Sequence, residues 1–144
     1  MQWAFAEGRG LMDDTERVEV TEIRVPYRDI DMAGRLHNAA YLAYAETALS
    51  HFWRYRPPLE DEPRFHANRI ELHLLEPLRL DDKARLTVTI DKIGGKSIGF
   101  NVAIERDRTL CAEVEILWIA SDRDSGEPVA LPEDIRDWLY GYLK

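Results

Sequence analysis

Two carboxylates, Asp29 and Asp31, stand two residues apart in a loop that also carries Gly34, and the chain then enters a segment that reads as helix from Ala39 to Tyr55. The first N–H groups of a helix have no partner within it and carry partial positive charge. An acid just ahead of such N–H groups supplies two parts of a machine for acyl transfer. The carboxylate attacks a carbonyl or activates water, and the N–H groups of His37, Asn38 and Ala39 hold the oxyanion that develops. An acid in a loop also serves to hydrogen-bond loop N–H groups, and Asp29 reads most simply that way. Gly34 fits a tight turn or a close approach of substrate to backbone. A third acid, Glu46, falls at the edge of the helix's apolar arc beside Leu42 and Trp53, where it could reach a cleft.

These residues need a rigid frame. Residues 18–27 are rich in β-formers (Val18, Val20, Ile23, Val25), and Pro26 marks the end of that strand. The helix after it places Tyr41, Leu42, Tyr44, Ala45, Ala48, Leu49, Phe52, Trp53 and Tyr55 on about half of the wheel at 3.6 residues per turn. Asn38 is the expected N-cap, and Pro57-Pro58 stop the helix. After a loop at 57–64 come runs of period two. Ile70, Leu72 and Leu74 form one, Ala84 to Ile90 the next, and Ile98 to Ile104 the third; each gives a strand with one apolar face. Gly94-Gly95 joins the second and third as a hairpin. Thr109–Ala120 makes a further strand, apolar on both faces over 116–120 and hence covered. Pro132–Leu143 predicts a short terminal helix with Ile135, Trp138, Leu139 and Tyr142 on one side. Residues 1–16 show no period and read as a flexible tail, with Trp3 and Phe5 tacked onto the surface; residues 17–144 read as one domain. The order is α+β, a long helix packed on a mostly antiparallel sheet.

Composition limits the function. A chain of 144 residues suits a single domain with a real core. The net charge of −8 disfavours nucleic acid and anionic membrane as partners. An anionic substrate would then need a local basic patch. Lys92 and Lys96, flanking the hairpin turn with Ser97 next to it, are the candidates. Met1–Asp14 lacks the pattern of a secretory signal, and no apolar run approaches a membrane span of about 20 residues, so the expected location is cytoplasmic. Cys111 lies in an apolar run and reads as a buried thiol. His51, His66 and His73 show no ligand-like spacing with cysteine or acids, so no metal site is expected.

The ordered set Asp29, Asp31, Gly34, His37, Asn38, Tyr41, Leu42 and Glu46 resembles the 4-hydroxybenzoyl-CoA thioesterase family of hotdog-fold acyl-CoA thioesterases. The similarity continues through 71–82, 93–97 and 122–132 and covers roughly residues 18–140. It implies a hotdog fold, one long central helix wrapped by the sheet with a short C-terminal helix. It implies hydrolysis of an acyl-CoA thioester to acid and CoA, with Asp31 as nucleophile or general base. No cofactor is implied beyond the CoA of the substrate. Tyr41 would contact the substrate, Lys92 and Lys96 the CoA phosphates, and the protein would be a homodimer or a dimer of dimers. A second branch of hotdog thioesterases keeps its acid on the helix, nine residues after a His; counting from His37 gives Glu46 as a rival. Two other readings compete: a non-catalytic acyl-CoA-binding module, and a thioesterase for carrier-protein-bound acyl chains.

Overall fold

The computed structural model describes residues 3–5 and 19–143. Eight elements follow in order: β1 (Trp3–Phe5), β2 (Glu19–Arg24), α1 (Asn38–Trp53), β3 (Arg64–Leu74), β4 (Lys83–Ile93), β5 (Ser97–Arg106), β6 (Thr109–Ser121) and α2 (Glu133–Tyr140). All strands pair antiparallel in one sheet of order β1-β2-β4-β5-β6-β3. The α1 helix lies across one face of this sheet, the hotdog arrangement. Of the segment read as a tail, Trp3–Phe5 adds an edge strand to β2, and residues 6–16 lie outside the described residues.

The periodicities explain the layers. Tyr41, Tyr44, Ala45, Ala48, Leu49 and Phe52 of α1 are all buried. They meet the inward set of the sheet, among them Leu86, Val88, Phe100, Val102, Val114 and Ile116. Three alanines on the helix face (Ala40, Ala45, Ala48) let the helix approach the sheet closely, while Phe52 fills the far end. Burying a side chain the size of Phe52 contributes about 1.5–3 kcal/mol. Trp138 of α2 stacks on Phe52 with ring centroids 4.9 Å apart, so the terminal helix closes that end of the core. The α2 helix is shorter than expected, because Pro132 is its N-cap and Gly141 ends it.

Other boundaries also differ from the sequence reading, and α1 ends at Trp53 rather than Tyr55. The N-cap of α1 is His37, in extended backbone, and Asn38 is the first helical residue; the turn closes on His37 because Ala40 N–H already bonds to its carbonyl at 2.9 Å. Strand β3 starts at Arg64, inside the stretch read as a loop. Among the described residues it is an edge strand, paired only with β6, and most of its residues are exposed, so its first half has no need of an alternating apolar pattern.

Candidate active site

The loop from Asp29 to His37 folds back on itself. A single turn of 3₁₀ helix over Tyr27–Asp29 delivers Asp29. Ile30 then pairs with Leu36 in an isolated antiparallel bridge. At the base, His37 N–H donates to the Asp29 carbonyl at 2.8 Å. At the tip, Asp31 N–H donates to the Arg35 carbonyl at 2.7 Å and Gly34 N–H to the Asp31 carbonyl at 3.1 Å. Gly34 has φ +80°, and nothing lies within 4 Å of where a Cβ would stand. Its positive φ suits the left-handed turn.

Asp31 is fixed by this tip. Its Oδ1 accepts the N–H groups of Ala33 at 2.8 Å and Arg35 at 3.0 Å. The bond from Arg35 N–H, with help from that of Ala33 and the charge of Arg35, holds the carboxyl below the usual carboxylate range. Asp31 is thus ionised at neutral pH, with one oxygen oriented by the backbone and the other turned to no partner among the described residues.

The helix mouth offers fewer donors than the sequence suggested. His37 N–H is committed to Asp29, and Ala40 N–H to His37. The N–H groups of Asn38 and Ala39 have no acceptor among the described residues, so these two remain for an anionic atom. A cleft of about 320 Å³ opens beside them, lined by Arg35, Leu36, Asn38, Tyr41 and residues 74–77. Leu74 and Leu75 are 46% and 55% exposed, giving the cleft an apolar lip, and Arg35 sets a cation on its rim. The far wall is tied down twice. Leu78 N–H donates to the Tyr41 hydroxyl at 3.0 Å, and Arg106 donates to the Pro77 carbonyl at 2.8 Å.

The other sequence candidates lie apart from this mouth within the chain. Glu46 is exposed on α1, eight residues after Asn38 and so about 12 Å along the axis. Lys92 faces Gly99 in the β4–β5 register, Lys96 and Ser97 close the hairpin, and both belong to the opposite end of the sheet from Arg106 and Pro77. Since β5 has ten residues, those ends are about 30 Å apart at ~3.3 Å per residue. Lys92 instead lines a cleft of about 250 Å³ on the outer face of the sheet, with Arg69, Glu71, Asp91 and Glu115. Glu71 and His73 alternate on β3 and meet Glu115 of β6, with His73 Nε2 2.9 Å from Glu115. Their ligand-capable atoms all lie within 4.8 Å of one another. Strand pairing across 42 positions makes this group, so spacing along the chain could not show it. Cys111 is buried as expected, and burial pushes its thiol pKa up.

Residues 25–139 match the family model described as the Thioesterase-like superfamily. The chain belongs to that superfamily. It is accordingly a thioester hydrolase. Among curated relatives, "Acyl-CoA thioester hydrolase YbgC" of Escherichia coli O6:H1 is 29% identical over 119 residues, covering 78% of this chain and 89% of the relative. "Acyl-CoA thioesterase YbgC" of Haemophilus influenzae is 22% identical over 120 residues, covering 79% and 88%. The fold is shared with solved structures. A predicted thioesterase from Bacillus stearothermophilus superposes with a TM-score of 0.80 at 19% identity, over 88% of this chain and 97% of that one. The SAV2348 protein from Staphylococcus aureus, solved in complex with CoA, also gives 0.80, at 16% identity over 90% and 87%.

The sequence reading missed Arg35, residues 74–77 and the use made of two tyrosine hydroxyls. Arg35 is an ordinary loop cation until the fold sets it at the cleft. Nothing in the chain marks 74–77 as a wall until β3 and β6 are paired.

Proposed function

We propose that this protein hydrolyses acyl-CoA thioesters to a carboxylic acid and CoA, with Asp31 as the acting carboxylate. The observation that carries this reading is an ionised Asp31, fixed by backbone N–H groups in the loop that leads into α1, followed by a helix start whose Asn38 and Ala39 N–H groups have no acceptor among the described residues; the cleft at that start is lined by Arg35, Asn38 and Tyr41, with Asp31 outside its lining. The thioester carbonyl oxygen takes those N–H groups, whose bonds strengthen as it becomes an oxyanion. Either the free oxygen of Asp31 attacks the carbonyl carbon, CoA leaves as thiolate, and water cleaves the resulting Asp31–acyl anhydride to the acid and the free carboxylate; or Asp31 takes a proton from a water that attacks the carbonyl carbon, and CoA leaves as the acid forms. A carboxylate held below its usual pKa stays ionised at neutral pH, the form that both roles require. The relatives' names and the CoA complex of the Staphylococcus aureus structure support CoA as the carrier.

The proposed assembly is a homodimer, or a dimer of such dimers. Strand β3 offers eleven residues of edge with one side unpaired, and Ile70 is 42% exposed beside it. A long open edge invites pairing with another strand. Antiparallel pairing of two β3 strands brings the Leu74 end of one protomer to the Arg64 end of the other. That carries the partner's Lys92, Lys96 and Ser97 toward the helix mouth, where they would serve CoA phosphates that they cannot reach at home. The free, buried Cys111 suits a reducing compartment, and the proposed location is the cytoplasm.

The test is thiol release over a panel of short, long, branched and aromatic acyl-CoA esters, with sedimentation of the same sample. Turnover by a dimer or tetramer supports the reading. Tight binding without thiol release would replace it with a binding module, and an active monomer of 16.7 kDa would remove the shared site.

A further inference from the structure

Tyr44 is only 3% exposed, one turn after Tyr41 on the buried face of α1. Its hydroxyl does not face apolar side chains alone: it donates to Asp29 Oδ2 at 2.7 Å. The same Asp29 accepts the His37 N–H on its backbone carbonyl at 2.8 Å. Asp29 is therefore held from both sides, by the N-cap of α1 and by a side chain seven residues after it, about 10 Å further along the axis. The Asp29–His37 bond closes the base of the loop whose tip holds Asp31, and it commits the helix-mouth N–H that precedes the two free ones. Movement of Asp29 would shift the base of the loop, and with it Asp31, against Asn38 and Ala39. Burial, reinforced by the bond to Asp29, pushes the Tyr44 phenol far above its ordinary pKa, so it remains a donor at every working pH.

We propose that Tyr44 is a positioning residue for the hydrolysis: through Asp29 it sets where the Asp31 carboxylate stands relative to the N–H groups of Asn38 and Ala39. This rests on the function proposed above. A near-attack geometry is sensitive, since a misplacement of about 1 Å can cost about 100-fold in rate. Tyr44 itself touches no substrate, so its effect falls on turnover and not on binding.

Tyr44→Phe keeps the ring and its packing and removes only the donor. Expected is a fall in kcat of about 10- to 100-fold with KM within about threefold. Asp29→Ala should reproduce this loss. Asp29→Asn, whose amide oxygen still accepts the Tyr44 hydroxyl, should recover most of what Asp29→Ala loses. Because both residues act through one bond, Tyr44→Phe combined with Asp29→Ala should be no worse than either alone. A second readout needs no substrate. The carboxyl titration of Asp31, followed by ¹³C NMR, should rise toward its ordinary value of 3.8 in Tyr44→Phe, as the Ala33 and Arg35 N–H groups move off it. Unchanged kcat with an unmoved Asp31 titration would overturn the inference. So would collapse of Asp29→Asn to the level of Asp29→Ala, which would give the Asp29 carboxylate a chemical role of its own. If the wild-type protein releases no thiol while the titration moves as stated, the hydrolytic reading fails and Tyr44 remains the holder of the loop.

Discussion

Replacing Asn38 by proline removes one of the two N–H groups proposed to hold the oxyanion, without harming the helix that presents it. Asn38 is the first residue of α1, and His37 before it has φ −56° and ψ 136°. Proline is favoured at a first helical position, where its missing N–H bonds nothing within the helix. It also asks the preceding residue for extended backbone, which His37 already adopts. The Asn38 side chain makes no hydrogen bond among the described residues and is exposed. Folding stability should therefore hold or rise, by about 0.4–1 kcal/mol through restriction of the unfolded chain. That is a Tm shift of about 1–4 °C upward for a domain of this size. Turnover should respond differently. Loss of one oxyanion-hole donor costs about 2.7–4 kcal/mol of transition-state stabilisation, or about 100- to 1000-fold in kcat. Asn38→Ala controls for the side chain and should stay within a few-fold of wild type. The assay is thiol release on the best acyl-CoA substrate, with thermal unfolding of each variant. Asn38→Pro turnover within threefold of Asn38→Ala would refute the donor role. A Tm drop of many degrees would show the backbone argument to be wrong.

Two further outcomes follow from the same geometry. If Asp31 is the acting carboxylate, the kcat/KM profile should show no carboxylate limb between pH 8 and 5: the ionised form is the one required, its pKa is lowered from 3.8, and activity should be lost only as pH falls below that value; a limb near pH 5 would contradict the assignment. Lys92→Ala with Lys96→Ala should raise KM more than it lowers kcat, and less so at high salt, as remote charge contacts to phosphates do; an unchanged KM at low salt would place the phosphates elsewhere.

Much of the frame was legible in the chain because burial writes period. The half-apolar wheel of α1 and the alternation of β4 and β5 each face a single core, and Gly94-Gly95 does lie at their hairpin. The start of β3 was not legible: an exposed edge strand is free to be polar on both faces, as Arg64, His66, Asn68 and Arg69 are. At the site, the residue types were readable but their hydrogen bonds were not. His37 looked like a donor until the loop folded its N–H onto Asp29. Tyr41 and Tyr44 read as core rings, and they are buried, but each hydroxyl also ties a loop to α1. The Glu71–His73–Glu115 group needed two strands that only the sheet brings together.

The central claim is that Asp31 carries the chemistry and Glu46 does not. Asp31→Asn keeps the size and most hydrogen bonds of the side chain while removing its charge. Turnover of Asp31→Asn and Glu46→Gln on one acyl-CoA substrate, side by side, decides the matter. The account predicts a fall of at least about 100- to 10,000-fold for Asp31→Asn, the contribution typical of a positioned carboxylate, with binding largely kept and Glu46→Gln clearly less affected. Near-wild-type turnover in Asp31→Asn with collapse in Glu46→Gln would contradict it and move the chemistry to the helix.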